Sequence, residues 1–197
     1  YPKRGETVSV ALFYKNFTNP IEMTVEASAQ HTVKPNNAEG ARNLGAEITV
    51  RKKLAFIHKS VKDVFLAANV ALIWSRIVLP EGGIQTSSKR PLQGQSPYVI
   101  NLQAGYDNAD LGTTVTVLYN VIGKRISEVG ALGAPDIWEQ PFHRLDLVYR
   151  QKLPRGFSLA LKATNLIDLP VRFQQADIRT ETYKKGRVFS VSVSKKW

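Results

Sequence analysis

Apolar and polar residues alternate with a period of two through most of this chain, which marks strands whose two faces meet different surroundings. The alternation is cleanest near the C-terminus, where Arg187, Phe189, Val191, Val193 and Trp197 take one face and Ser190, Ser192, Ser194 and Lys196 the other. Further upstream, Val8, Val10, Leu12 and Tyr14 form one such face, and Ala46, Ile48 and Val50 oppose Glu47, Thr49 and Arg51. Ile100, Leu102, Ala104 and Tyr106 alternate with Asn101, Gln103, Gly105 and Asp107, as Val115, Val117, Tyr119 and Val121 do with Thr114, Thr116 and Asn120. Leu145, Leu147 and Tyr149 oppose Arg144, Asp146 and Arg150, and Phe157, Leu159, Leu161 and Ala163 oppose Ser158, Lys162 and Thr164. Residues 64–76 are apolar on both faces and read as a strand with Asn69 and Ser75 on its polar side.

The pattern predicts an all-β, antiparallel fold of about eight long strands, at 6–22, 42–53, 63–79, 96–108, 112–125, 142–152, 156–173 and 184–197. Their connections alternate in length. Short turns fall at 107–112 and 152–156 and a middling one at 54–63, whereas longer loops rich in Gly, Pro, Asn and Ser fall near 25–41, 80–95, 126–141 and 174–183. A membrane barrel has this rhythm, with tight periplasmic turns on one rim and long extracellular loops on the other. Aromatics such as Tyr98, Tyr106, Trp138, Phe142, Phe157 and Tyr183 lie near strand ends, where membrane barrels carry girdles. A soluble antiparallel barrel with aromatics capping its core shares both features.

Composition narrows the choice. The chain has 197 residues, enough for one ordinary domain, and no cysteine, which excludes disulfides, thiolate metal sites and cysteine nucleophiles. The longest nearly apolar run, 64–74, is far shorter than the roughly 20 residues a membrane-spanning helix needs. With 27 Lys and Arg against 16 Asp and Glu, the net charge of +11 favours an anionic partner. The chain also finishes an alternating strand on Trp197, the kind of C-terminal aromatic that the barrel assembly machinery reads in outer-membrane barrels.

Short motifs then add a resemblance. Phe13 to Phe17 followed by Thr18-Asn19-Pro20-Ile21-Glu22, then Asn37, Ala38 and Gly45-Ala46-Glu47-Ile48, stand in the same order as elements of the TonB-dependent outer-membrane receptors. Asn165-Leu166-Ile167-Asp168 resembles that family's Asn-Leu-Phe-Asp element, with Ile167 in place of the phenylalanine, and Gly186-Arg187 resembles the opening of its last strand. The resemblance implies that residues 1–197 are the C-terminal segment of an outer-membrane β-barrel of the 22-stranded type, without the plug or the N-terminal strands. It further implies a bacterial outer-membrane location and a role in taking up a scarce solute, siderophore-like or another large nutrient. The implied partners are outer-membrane lipid and lipopolysaccharide, the remainder of the barrel and plug, TonB through that plug, and the barrel assembly machinery.

No enzyme chemistry stands out. Phosphate-binding glycine loops and a Gly-x-Ser-x-Gly elbow are absent, and His31, His58 and His143 lie in separate segments, so no cofactor or metal is expected. Glu47 and Asp146 are expected to pair with Arg51, Arg144 or Arg150 rather than to act as an acid pair. Two basic groups fall on opposite rims: Arg51, Lys52, Lys53, His58, Lys59 and Lys62 with Lys195 and Lys196 near the short turns, and Lys89, Arg90, Lys124, Arg125, Lys184, Lys185 and Arg187 near the long loops. Arg90, Arg125 and Trp138 are the candidates for ligand contact, and Phe189, Val191, Val193 and Trp197 those for lipid contact and assembly. Two other readings stay open: a self-contained eight-stranded anchor or adhesin, whose narrow lumen the opposed charges would fill, and a soluble basic barrel binding nucleic acid. The second needs a face on which basic and aromatic residues interleave, and the sequence shows none.

Overall fold

The computed structural model describes residues 5–26, 32–80 and 82–196, so His31 and Trp197 lie outside the described residues. Its strands are β1 (Thr7–Thr18), β2 (Ile21–Glu26), β3 (Val33–Asn37), β4 (Gly40–Lys53), β5 (Val64–Val78), β6 (Tyr98–Asn108), β7 (Thr113–Ile122), β8 (Arg125–Ala131), β9 (Ile137–Glu139), β10 (Phe142–Lys152), β11 (Phe157–Thr164), β12 (Val171–Gln175), β13 (Ile178–Tyr183) and β14 (Val188–Lys195). Eight of them form one antiparallel sheet in the order β1-β4-β5-β6-β7-β10-β11-β14, and the other six a second sheet in the order β13-β12-β9-β8-β2-β3.

Every strand of the large sheet corresponds to one expected from the alternation, and the register shows why the alternation is so regular. Val10 pairs with Ile48, Ile48 with Val70, Val70 with Ile100 and Ile100 with Val121. Farther along, Val117 pairs with Leu147, Leu147 with Ala163 and Ala163 with Phe189. Successive side chains of a strand point to opposite faces, so this register puts all the apolar sets on one face of the sheet. That face is uncovered: Leu12 is 80% exposed, and Leu72, Trp74, Leu102, Leu147, Leu161, Phe189, Val191 and Val193 are exposed as well. An apolar belt this broad demands a hydrocarbon solvent, and it settles the choice between membrane and soluble barrel in favour of the first. Aromatics mark its two margins, Tyr14 and Trp74 flanking Leu44 at one end and Tyr106 and Tyr149 flanking Val115 at the other.

β1 and β14 each have one partner among the described residues and do not pair with each other. The sheet is therefore an open wall of a larger barrel, and the closed eight-stranded alternative does not hold.

The short-turn end is compact. Two one-turn 3-10 helices, Leu54–Phe56 and Lys59–Val61, join β4 to β5, while Gly112 (φ 63°) and Arg155 with Gly156 (φ 61° and 77°) close the other two turns. At the opposite end the expected loops are more ordered than the sequence suggested. The described residues of loops 25–41, 126–141 and 174–183 belong to hairpins, β2–β3, β8–β9 and β12–β13, that pair among themselves above the wall. The strand expected over 156–173 is correspondingly interrupted at Asn165 and Asp168, both with positive φ. Among the described residues, the β5–β6 connection, 79–97, carries no strand, and it folds back onto the polar face of the wall. There Leu79 and Leu92 pack on a small core of Ala38, Ala41 and Ile77. This local cover is one reason why β5 reads as apolar on both faces.

The polar face also holds two glycines that make room for aromatic rings. Phe13 lies over Gly45, its partner on β4, and Phe65 over Gly105, its partner on β6. At position 45 a Cβ would fall on the Phe13 ring and would also stand 2.8 Å from the Leu72 carbonyl oxygen, which is backbone and cannot turn aside. Gly45→Ala is therefore expected to destabilise the wall by about 1–3 kcal/mol, the usual cost of overpacking. The urea midpoint of the whole protein in lipid vesicles checks this, and an unchanged midpoint would contradict the packing described.

Candidate functional site

On the polar face, register alone assembles a row of amides. Thr49 pairs with Asn69, Asn69 with Asn101, Asn101 with Asn120 and Asn120 with Arg144, so five neighbouring strands each place one polar side chain on a single line. Asn120 Nδ2 donates to Asn101 Oδ1 at 2.7 Å, and Asn101 Nδ2 donates to Asn69 Oδ1 at 3.1 Å. Asn69 Nδ2 completes the run by donating to Glu47 Oε1 at 2.6 Å and Thr49 Oγ1 at 2.9 Å. Arg144 Nε donates to Asp146 Oδ1 at 2.9 Å, as the expected pairing had it, whereas Glu47 is held by Asn69 and Arg51 lies 3.6 Å over the Phe65 ring. The row borders a depression of about 500 Å³ lined by Thr49, Arg51, Asn101, Gln103, Asn120, Arg144 and Asp146. Amides and hydroxyls with both donors and acceptors suit a surface that water and polar solutes slide along. Each asparagine was recognised as polar-facing in the sequence, but the row itself needs the register.

Above the wall, Glu22 and Arg90 form a fully buried pair. Arg90 Nη1 and Nη2 donate to the two carboxylate oxygens of Glu22 at 2.8 and 2.6 Å, and the Gln93 backbone N–H adds a third bond at 3.0 Å. Their side chains are 0% and 2% exposed respectively. Arg90 was expected on a ligand-facing loop. It lies instead under the second sheet, because its loop folds inward and Glu22, 68 residues away, takes up the fork of its guanidinium. Gln93 extends the tie, donating through Nε2 to the Ser127 carbonyl oxygen.

Arg125 and Trp138 sit together on the β8–β9 hairpin. Arg125 pairs with Glu139 and Ile126 with Trp138 in register. Arg125 Nη2 lies 2.7 Å from Glu139 Oε2, and Lys124 Nζ lies 4.8 Å from the Trp138 ring centre. Both side chains are half-exposed, so they offer a cation and an indole to the solvent above the wall. In the connection between them, Asp136 accepts a hydrogen bond from the Gly130 N–H at 2.8 Å. Burial pushes its carboxyl above the ordinary value, against that hydrogen bond and the attraction of Arg90. A carboxyl with a raised folded value contributes stability that is full below the ordinary carboxylate range and is lost as pH rises through the raised value. Asp136→Asn keeps an acceptor for Gly130 without the charge. The midpoint of the variant should therefore gain on that of the parent as pH rises through this window; thermal scans of hairpin opening check it, and a gap independent of pH would refute the burial effect.

The motif residues of the C-terminal part, Asn165, Leu166, Asp168, Gly186 and Arg187, gather in one knot at the start of β14. Asn165 Nδ2 donates to the Gly186 carbonyl oxygen at 2.6 Å and to Asp168 Oδ1 at 3.2 Å. Gly186 N–H donates to Asp168 Oδ1 at 3.1 Å, and Arg187 Nε to the Leu166 carbonyl oxygen at 2.8 Å. Asn165 N–H itself donates to Asp146 Oδ1 at 2.9 Å, which joins the knot to the amide row. Pro20 accepts from the Ala38 N–H, and Ile21 is exposed beside buried Glu22. Phe189, Val191 and Val193 lie on the apolar face as expected. His58 accepts from Ser60 N–H in the first turn, and His143 Nδ1 lies 2.5 Å from the Tyr119 hydroxyl within the sheet.

A family model described as TonB dependent receptor-like, beta-barrel matches residues 1–166. Two solved structures share the fold over 98% of this chain and 29% of their own length. One is the copper transporter OprC, with a TM-score of 0.67 and 16% identity. The other is a variant of the ferric enterobactin receptor PfeA from Pseudomonas aeruginosa, with a TM-score of 0.62 and 16% identity. No curated protein matches the chain.

Proposed function

Because this chain belongs to the TonB-dependent receptor-like β-barrel family, whose members are outer-membrane receptors and transporters, we propose that it forms the C-terminal wall of a receptor taking up a scarce solute. The solute is siderophore-like or another large nutrient, caught at the long-loop rim and passed along the polar face. The observation that carries this reading is the two-sidedness of an open sheet: an unbroken apolar belt on one face, and on the other an amide row, hydrogen-bonded from Asn120 to Thr49 and continued in register by Arg144, which Asp146 ties to the motif knot. A plug, supplied by sequence outside this segment, would fill the lumen and carry the coupling to TonB. The wall itself takes no catalytic part.

Solute capture falls to Arg125 and Trp138, with Lys124 beside them, now that Arg90 is buried. A guanidinium and an indole suit a planar or anionic ligand such as a metal–catecholate complex. Of the two structures that share the fold, one is a copper transporter and the other a ferric enterobactin receptor. Uptake of radiolabelled ferric siderophore by cells carrying the whole receptor is the test. Accumulation should require the receptor and stop when the proton-motive force is dissipated; accumulation that survives the uncoupler would remove the energised-transport reading. Trp138→Ala should weaken binding roughly tenfold or more, the scale of a central aromatic contact, and unaltered affinity would move the ligand elsewhere on the rim.

A further inference from the structure

The short-turn rim carries a feature that solute uptake does not use. Lys52 and Lys195 have the same parity as the apolar face, and each stands over an aromatic ring at the foot of the wall. Lys52 Nζ lies 5.6 Å from the centre of Phe56, and Lys195 Nζ lies 5.4 Å from that of Phe157. The β4–β5 turn then projects Phe56 and Ile57, 66% and 63% exposed, in continuity with the apolar belt. Lys59 and Lys62 belong to the same turn, both exposed and neither in an ion pair among the described residues, whereas Lys53 pairs with Phe65 on the polar face. The carboxylates nearby are already engaged: Glu6 pairs with Lys52 at 2.8 Å, and Asp63 accepts from Asn108 Nδ2 at 2.7 Å. Asp107 accepts from Thr114, and Asp110 belongs to the next turn.

We infer that the turn between β4 and β5 is a seat for anionic phospholipid headgroups of the inner leaflet, with Phe56 and Ile57 entering the acyl boundary and Lys59 and Lys62 meeting phosphate. Exposed apolar side chains set among unpaired lysines are the chemistry of an interfacial anchor, because the alkyl stems lie along hydrocarbon while the ammonium heads reach the phosphates. A hydrophilic cell-wall polymer would satisfy the lysines but leave Phe56 and Ile57 in water. Lipid satisfies both, and the seat prolongs a face that already meets lipid. Phosphatidylglycerol, with its net negative headgroup, is the favoured occupant over zwitterionic phosphatidylethanolamine.

The test uses the whole receptor in nanodiscs of phosphatidylethanolamine containing a minor share of phosphatidylglycerol, with retained lipid counted by native mass spectrometry. The parent should retain phosphatidylglycerol preferentially, and Lys59→Gln/Lys62→Gln should lower that preference at least about fivefold, the share of a single lysine near an anionic surface. Phe56→Ser should lower retention of both lipids. Lys89→Gln/Lys184→Gln, at the opposite rim, should change nothing, and heat-modifiable mobility on gels should show every variant folded. Equal retention of the two lipids by the parent overturns the inference, as does a preference unchanged in the double variant or one that survives about 1 M salt. Lysine-dependent binding of isolated cell-wall sacculi without lipid preference would overturn it too, by giving the turn a different partner.

Discussion

Glu22→Ala should open the long-loop end of the barrel while leaving the wall below it folded. The substitution leaves the Arg90 guanidinium buried with neither of its carboxylate partners and frees the Gln93 N–H. Breaking such a pair from one side costs about 3–5 kcal/mol, because the remaining charge is neither solvated nor paired. The effect should be local, since the pair joins β2 to loop 79–97 and not to a wall strand. Hydrogen exchange at amides of 84–96 should quicken by roughly two to three and a half orders of magnitude, while those of β4 and β5 stay slow. Replacing both members, Glu22→Leu with Arg90→Met, should recover most of the protection, because two apolar groups leave no orphaned charge. Uniform acceleration across the wall, or none in the loop, would contradict the placement of the pair.

Val191→Arg carries the second large effect. Val191 pairs with Leu161 on the uncovered apolar face and is 70% exposed. An arginine there meets hydrocarbon and should destabilise the folded barrel by about 2–4 kcal/mol if the position lies near the bilayer midplane, less towards the interfaces. The neighbouring Ser192 pairs with Ala160 and points to the polar face, so Ser192→Arg should stay within about 0.5 kcal/mol of the parent. Urea unfolding in vesicles separates the two. Equal losses, or a larger loss at position 192, would exchange the faces of β14 and with it the register of the sheet.

The large sheet was legible because a strand with lipid on one side and water on the other must alternate. Val8 to Tyr14, Leu102, Leu147 and Phe189 to Val193 all fall on the face that their parity predicted. What escaped were elements for which parity is broken or too short to register. β8 and β9 pair with a shift between Ile126 and Glu128, β12 and β13 with one between Phe173 and Gln174, and β9 has three residues. Hairpin tips with bulges read as loops. Arg90 was misread for a different reason: a single arginine between Lys89 and Pro91 looks solvated, and nothing local announces a carboxylate 68 positions earlier. Asn165, Asp168, Gly186 and Arg187, by contrast, were found as words in a sequence and turn out to be bonded to one another.

The parallel pairing of β2 with β8 has a mechanical consequence. Thr24, Val25 and Glu26 run beside Val129, Gly130 and Ala131, so the hairpin rising from β1 and β4 is laced to the one rising from β7 and β10, bridging over the loop between β5 and β6. The arrangement works as a lintel across two posts. Hairpins that would otherwise sway independently share one span, and the folded loop beneath is tied up to it by its own Gln93 and Thr86, which donate to the Ser127 and Gly130 carbonyl oxygens. A force on one of these fingers is thus passed through backbone hydrogen bonds to the neighbouring posts.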